Sequence, residues 1–128
     1  MTVADSIQVD LDGATNAIES VVVTDAGVIE FDAAADQTFT GTITFAADDD
    51  GTIINANTDG ELTITGAIGT ATKAATEITL NDGANTNFNN AVFALTLDID
   101  TNGETTVFEA AGNEIGDTGG NGGALQIV

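Results

Sequence analysis

The residues with the clearest chemical pattern are Asp98-Ile99-Asp100-Thr101-Asn102-Gly103-Glu104-Thr105-Thr106-Val107-Phe108-Glu109. They satisfy the calcium-loop spacing D-x-[DN]-x-[DN]-G-x5-E. Calcium takes about six to eight oxygen ligands at roughly 2.3–2.6 Å, and alternating acidic side chains converge where a loop turns at glycine. The expected ligands are Asp98, Asp100, Asn102, the Glu104 carbonyl and Glu109. Both flanks read as strands, so calcium would sit in a similar loop placed in a β context rather than in an EF-hand. The competing reading is a hairpin with Asn102-Gly103 as its tight turn. In that register Leu97 lies opposite Phe108 and Ile99 opposite Thr106, while Asp98 and Asp100 form the wet face.

A second acidic cluster is Asp48-Asp49-Asp50-Gly51. Three adjacent carboxylates repel one another, and a cation would relieve that cost. The alternative is an exposed, solvated turn. Asp10, Asp12 and Gly13 form a weaker third candidate. Calcium is the one cofactor these patterns suggest.

Other chemistry fails by subtraction. The chain has no histidine and no cysteine, so neither a Ser-His-Asp nor a Cys-His arrangement can form, and Ser6 and Ser20 have no obvious base. Lys73 is the sole basic side chain. It reads as a solvated lysine pairing with Glu77, with a desolvated catalytic lysine as the alternative. No glycine-rich phosphate loop followed by lysine is present. Paired carboxylates can hydrolyse glycosides, but sugar sites favour aromatic platforms and the chain lacks Trp and Tyr. Its six phenylalanines read as core. No catalytic residue is expected.

Charge sets the environment. Twenty-one acidic residues against one basic residue give a net charge of −20 over 128 residues. A body this negative repels itself unless cations screen or bridge it. That points to a salty or calcium-containing exterior, extracellular or at the cell surface, and away from nucleic acid. Absence of cysteine is compatible with secretion. Met1-Thr2-Val3-Ala4-Asp5 shows neither the basic segment nor the apolar stretch of a signal peptide. No apolar run reaches the roughly 18 residues of a spanning helix, so membrane insertion is not expected.

The elements that must position these residues are strands. Twenty-one threonines with abundant Ile and Val favour them. Strands are expected at Ile7–Leu11, Val21–Val23, Val28–Phe31, Phe39–Phe45, Thr52–Ile54, Leu62–Ile64, Glu77–Leu80, Val92–Ile99, Thr105–Phe108 and Leu125–Val128. Alternation is cleanest over Phe39–Phe45, with Phe39, Ile43 and Phe45 sharing a face. Only Ala33–Asp36 and Thr70–Ala75 offer a turn of helix. The length fits a single all-β domain over 1–128, with a Gly-rich flexible connection near 116–123 before the terminal strand.

Two architectures fit. Asp12-Gly13, Asp50-Gly51, Asp59-Gly60, Asp82-Gly83 and Asn102-Gly103 are hairpin signals, which favour an antiparallel β-sandwich or jelly roll. The other architecture is a right-handed parallel β-solenoid. It is favoured by the recurrence of Thr42-Ile43-Thr44-Phe45, Leu62-Thr63-Ile64-Thr65, Ile78-Thr79-Leu80-Asn81 and Leu95-Thr96-Leu97-Asp98 at intervals of 20, 16 and 17 residues. The asparagines of Asn81–Asn90 would then form either stacked amide ladders inside the solenoid or a polar surface loop.

The stretches 60–69 (GELTITGAIG) and 78–92 (ITLNDGANTNFNNAV) resemble repeats of bacterial autotransporter passenger domains and of rickettsia-type surface antigens. The resemblance covers about Thr38–Val107. It implies a parallel β-helix, an extracellular location and roles in adhesion or surface layers. The chain departs from that family in showing no signal peptide and no membrane β-barrel translocator. A short solenoid also exposes unpaired strand edges at its ends, so head-to-tail self-association into a homopolymer or lattice is expected. The function expected is thus a structural subunit of a surface layer, filament or adhesin. A pilin-like sandwich or ligand-binding module completed by a donated terminal strand is the alternative, and an acidic glycan-processing enzyme is the distant third.

Overall fold

The computed structural model describes residues 1–81, 83, 85–99, 105–110, 114–115 and 124–127. Every regular element among them is a strand, and all the strand pairs are parallel. The chain winds as a right-handed parallel β-solenoid of about 4 turns. Right-handedness is the hand that parallel crossovers take almost without exception.

Each turn visits up to three faces. The first layer holds β1 (Thr2–Val3), β2 (Gln8–Leu11) and β3 (Thr15–Asn16). The second holds β4 (Ser20–Val23), β5 (Val28–Phe31) and β6 (Gln37–Phe39), and the third β7 (Thr42–Phe45), β8 (Asp50–Asn55) and β9 (Glu61–Ile64). The fourth layer has β10 (Ala75–Leu80) and β11 (Asn85–Phe88), and the fifth β12 (Phe93–Ile99) and β13 (Thr106–Phe108). In these two layers the first face narrows to single parallel bridges, Ile43 to Ile68 and Ile68 to Val92. Finally β14 (Glu114–Ile115) and β15 (Ala124–Ile127) both pair with β12.

Register keeps like residues stacked. Val9, Ile29, Ile53, Ile78 and Leu97 form one vertical column on the second face. Its members lie 20, 24, 25 and 19 positions apart, and these spacings are the true coil lengths. The recurrence at 20, 16 and 17 residues has another origin, because Thr42–Phe45 lies on the first face, Leu62–Ile64 on the third, and Ile78–Leu80 and Leu95–Asp98 on the second. Most of those intervals are therefore steps from face to face rather than from coil to coil.

Corners are where hairpins were the competing expectation. Asp12-Gly13, Asp59-Gly60 and Gly83 lie between the second and third faces of their coils, and Gly51 bends the chain inside β8. Positive φ at Gly51 and Gly83 (66° and 89°) allows the sharp change of direction. The antiparallel sandwich is thus excluded. Leu97 is in register with Ile78 and Leu125, not with Phe108, and β13 pairs with β11 on another face. The register that sets Leu97 opposite Phe108 is excluded with it, and Asn102-Gly103 itself lies outside the described residues.

Phe39–Phe45 is two strands rather than one. The chain turns at Thr40-Gly41, so Phe39 and the pair Ile43 and Phe45 reach the core from different faces. Gly41 is required by close approach, since a Cβ there would lie 1.6 Å from the Ile18 carbonyl oxygen. Directly above, a Cβ at Gly66 would lie 1.9 Å from the Gly41 carbonyl oxygen. Neither helical stretch forms: Ala33–Asp36 is a bend, and Thr70 to Lys73 closes a tight turn through two mutual backbone hydrogen bonds of 2.9 and 3.1 Å.

The core is a single continuous cluster of Val, Ile, Leu and Phe from all three faces. Phe31 meets Phe39 edge-on at 5.5 Å between ring centroids, and Phe88 stacks on Phe108 at 5.0 Å. Phe93 departs from expectation, because it lies outside this cluster and is half-buried.

Polar side chains fasten the corner between the second and third faces. Gln37, Asn55, Asn57 and Thr86 are buried there. Asn55 Nδ2 donates upward to Thr86 Oγ1 (2.8 Å) and Asn85 O (3.3 Å), while its Oδ1 accepts from Asn57 N (3.1 Å). Asn57 Oδ1 accepts from Ala33 N one layer below (2.7 Å), and Gln37 Nε2 reaches Leu11 O and, at 3.2 Å, Gly13 O. Internal amides do link the coils, but they are Gln37, Asn55 and Asn57. Asn85 and Asn87 in β11 are only half-buried.

Candidate functional site

The solenoid separates the expected calcium ligands by element. Asp98 lies in β12 on the second face, in register with Thr79 and Gln126. One of its carboxylate oxygens is enclosed and has no hydrogen-bond partner among the described residues. Glu109 follows β13 at the edge of the third face, where its amide donates to Phe88 O (3.0 Å) and its carboxylate accepts from Asn87 Nδ2 (3.5 Å). Asp100, Asn102 and Glu104 lie outside the described residues, as does the Gly116–Gly123 connection. Strands on both sides of the loop agree with its β context.

The Asp48–Asp50 cluster is organised around backbone amides. Asp48 Oδ1 accepts from Ala74 N in the next coil (3.0 Å), and Asp50 Oδ2 accepts from Ala47 N (2.8 Å). Asp49 adopts φ of 58°, and its carbonyl accepts from Thr76 Oγ1. Two of these carboxylates thus already satisfy orphan N–H donors, which is the ordinary use of Asp at a turn. No group of three or more acidic side chains among the described residues is arranged to hold a metal ion.

A larger acidic feature comes from stacking. Asp10 and Glu30 are register partners on the outer surface of β2 and β5, and Asp12 and Asp32 follow at the same corner. Carboxylates directly opposite each other across strands destabilise the pairing. Glu30 carries the consequence: burial, with Asp10 and Asp32 adding like charge, pushes its carboxyl above the usual value. Sequence reasoning found Asp10 and Asp12 but missed Glu30 and Asp32. The signal was legible, since acid–apolar–acid occurs as Asp10-Leu11-Asp12, Glu30-Phe31-Asp32 and Asp98-Ile99-Asp100. Leu11, Phe31 and Ile99 belong to one vertical column that also runs through Asn55 and Leu80.

The described surface also carries a recess and a groove. A recess of about 470 Å³ at the corner after β8 is lined by Asp36, Thr58, Asp59, Gly60, Glu61, Gly83 and Asn85. Asp36 is partly committed there, since its Oδ1 accepts from Glu61 N (3.1 Å). A groove of about 350 Å³ on the first face runs along Val22, Thr44, Phe45, Ala46, Gly69, Thr70 and Lys73. The expected Lys73–Glu77 ion pair does not form: Lys73 is exposed and has no ion pair among the described residues.

The ends of the stack differ from its sides. Among the described residues, β1, β2 and β3 each pair on one edge only, with β4, β5 and β6. Their other edges carry backbone N–H and C=O groups able to accept a further coil. Ile7 and Met1, beside those edges, are exposed at 51% and 45%. At the opposite end, among the described residues, β15 pairs only with β12.

Among the described residues no helix is long and apolar enough to cross a membrane. No family model matches the chain, and no curated protein or solved structure matches it.

Proposed function

We propose that the protein is a non-catalytic structural subunit that self-associates end to end into a filament or lattice outside a bacterial or archaeal cell. The observation that carries this reading is the edge of the first layer, three parallel strands wide and unpaired among the described residues. A head-to-tail contact of this kind repeats without closing. The extracellular location rests on the charge of −20, and the adhesin or surface-layer role on the resemblance to passenger-domain repeats.

Calcium belongs to the same proposal. Asp98, Asp100, Asn102, Glu104 and Glu109 would hold it, with Asp48, Asp49 and Asp50 as a secondary cluster. A bound divalent ion would also reduce the repulsion between copies. Glycan hydrolysis is the weaker reading, because among the described residues the recess bearing Asp36, Asp59 and Glu61 has no aromatic lining residue on which a sugar could stack.

Static light scattering in calcium and in chelator tests the proposal. The expected result is a mass that grows with protein concentration in calcium and falls back in chelator. A constant monomer mass at every calcium and salt concentration contradicts it.

A further inference from the structure

We propose that the joint between copies is one strand pair, in which Ala124–Ile127 of one copy adds beneath Gln8–Leu11 of the next. This inference rests on the self-association reading and names its contact. The seven-stranded sheet of the second face has β2 at one end and, at the other, β14 and β15, which both pair with β12. Within the chain, Ala124, Leu125, Gln126 and Ile127 are in register with Thr96, Leu97, Asp98 and Ile99. Extending that register across a copy boundary sets Gln8 on Ala124, Val9 on Leu125, Asp10 on Gln126 and Leu11 on Ile127.

Three features favour this match. Apolar positions meet apolar positions, so the columns through Leu97 and Ile99, extended in register by Leu125 and Ile127, would continue into the neighbour's Val9, which packs against its core, and Leu11, which belongs to it. A slip of one residue would set Asp10 against Leu125 or Ile127 and misplace every side chain. The second feature is charge: 124–127 is free of acid, whereas β2 and β5 carry Asp10 and Glu30. Joining two first layers would instead oppose carboxylate-bearing edges. Third, an amide suits Asp10, whose Oδ1 already accepts from Gln8 Nε2 (2.8 Å).

The chain has no cysteine, so engineered pairs read the joint without background. Gln8 and Ala124 sit five strand steps apart within one copy, about 24 Å, which no disulfide can bridge. Q8C and A124C single variants of the full chain are mixed in calcium and salt and then oxidised. The expected product is the mixed Q8C–A124C disulfide, in about tenfold excess over either homodimer because the joint raises the local thiol concentration. The double variant Q8C/A124C should give a ladder of covalent oligomers, and the out-of-register pair D10C with A124C should not. Q126E, which sets a carboxylate opposite Asp10, should weaken association up to about fivefold at low salt and recover at high salt. Oligomers by light scattering without the mixed disulfide, or with Q8C homodimers dominant, overturn this joint and leave self-association standing. A monomer under all conditions overturns both.

Discussion

Substituting Gly41 with alanine tests the coil-on-coil packing at its tightest point. The added Cβ would lie 1.6 Å from the Ile18 carbonyl oxygen, 2.8 Å from its carbonyl carbon and 3.1 Å from the Glu19 carbonyl carbon. All three are backbone atoms, so no side chain can rotate away. Relief requires the two coils to part at this corner by on the order of 1.5 Å, enough to restore van der Waals distance. The hydrogen bonds from Thr40 N to Asn16 O and from Thr42 N to Glu19 O, both 3.2 Å, span the same gap. Losing both costs about 1 kcal/mol each, and overpacking adds about 1–3 kcal/mol. Reduced freedom of the unfolded chain offsets about 0.4–1 kcal/mol. The net cost is about 2–5 kcal/mol.

Gly13→Ala is the matched control. Its Cβ would meet the Asn16 side-chain oxygen at 3.3 Å, a contact that a small side-chain shift relieves. Urea titration followed by far-UV circular dichroism should show G13A close to the parent and G41A shifted down by about 1–2 M. Equal midpoints for the two variants would refute the close stacking of coils at this corner.

Three further outcomes follow from the same structure. Asn55→Ala strips the buried partners from Asn85 O and Asn57 N and should cost about 2–4 kcal/mol in urea unfolding; an unchanged midpoint would deny the amide clamp its role. Glu30 has its folded pKa raised by burial and by Asp10 and Asp32. The native state therefore binds the proton more tightly than the unfolded chain, and this group's contribution improves as pH falls through the raised value. Glu30→Gln should accordingly stabilise the protein near neutral pH and lose that advantage at low pH, as thermal melts across pH will show; an equal gain at both ends would contradict it. Asp98→Asn removes one charge from the expected calcium set and should lower calcium affinity in isothermal titration, so identical isotherms would remove Asp98 from the site.

Much of the fold was legible because inward and outward residues alternate. Val28–Phe31 was bounded correctly on that basis, and Val21–Val23 and Glu77–Leu80 fell within the observed strands. Asn85–Phe88 was not found, because Asn-Thr-Asn text matches a turn. It is a strand because Asn55 satisfies Thr86 from the layer below and Phe88 stacks between Ile64 and Phe108. Asp-Gly dipeptides were ambiguous for a physical reason: the same backbone bend serves a hairpin or a solenoid corner, and only pairing with residues about 20–25 positions away decides between them. Gly41 likewise looked like a strand interior, since only the coil below reveals the contact that forbids a side chain there.

The candidate site was half legible. Spacing marked Asp98 and Glu109, but it could not show that one belongs to the second face and the other to the edge of the third. Nor did it show that Asp48 and Asp50 serve backbone amides. The Asp10, Glu30, Asp12 and Asp32 stack needed the coil length before its members became neighbours.

Cryo-electron microscopy of the protein assembled in calcium bears most directly on the central claim that its open first layer is a polymerisation surface. Filaments should show strand layers about 4.8 Å apart running unbroken through each copy boundary. Discrete single solenoids, or filaments joined side to side with every first layer left uncovered, would contradict it.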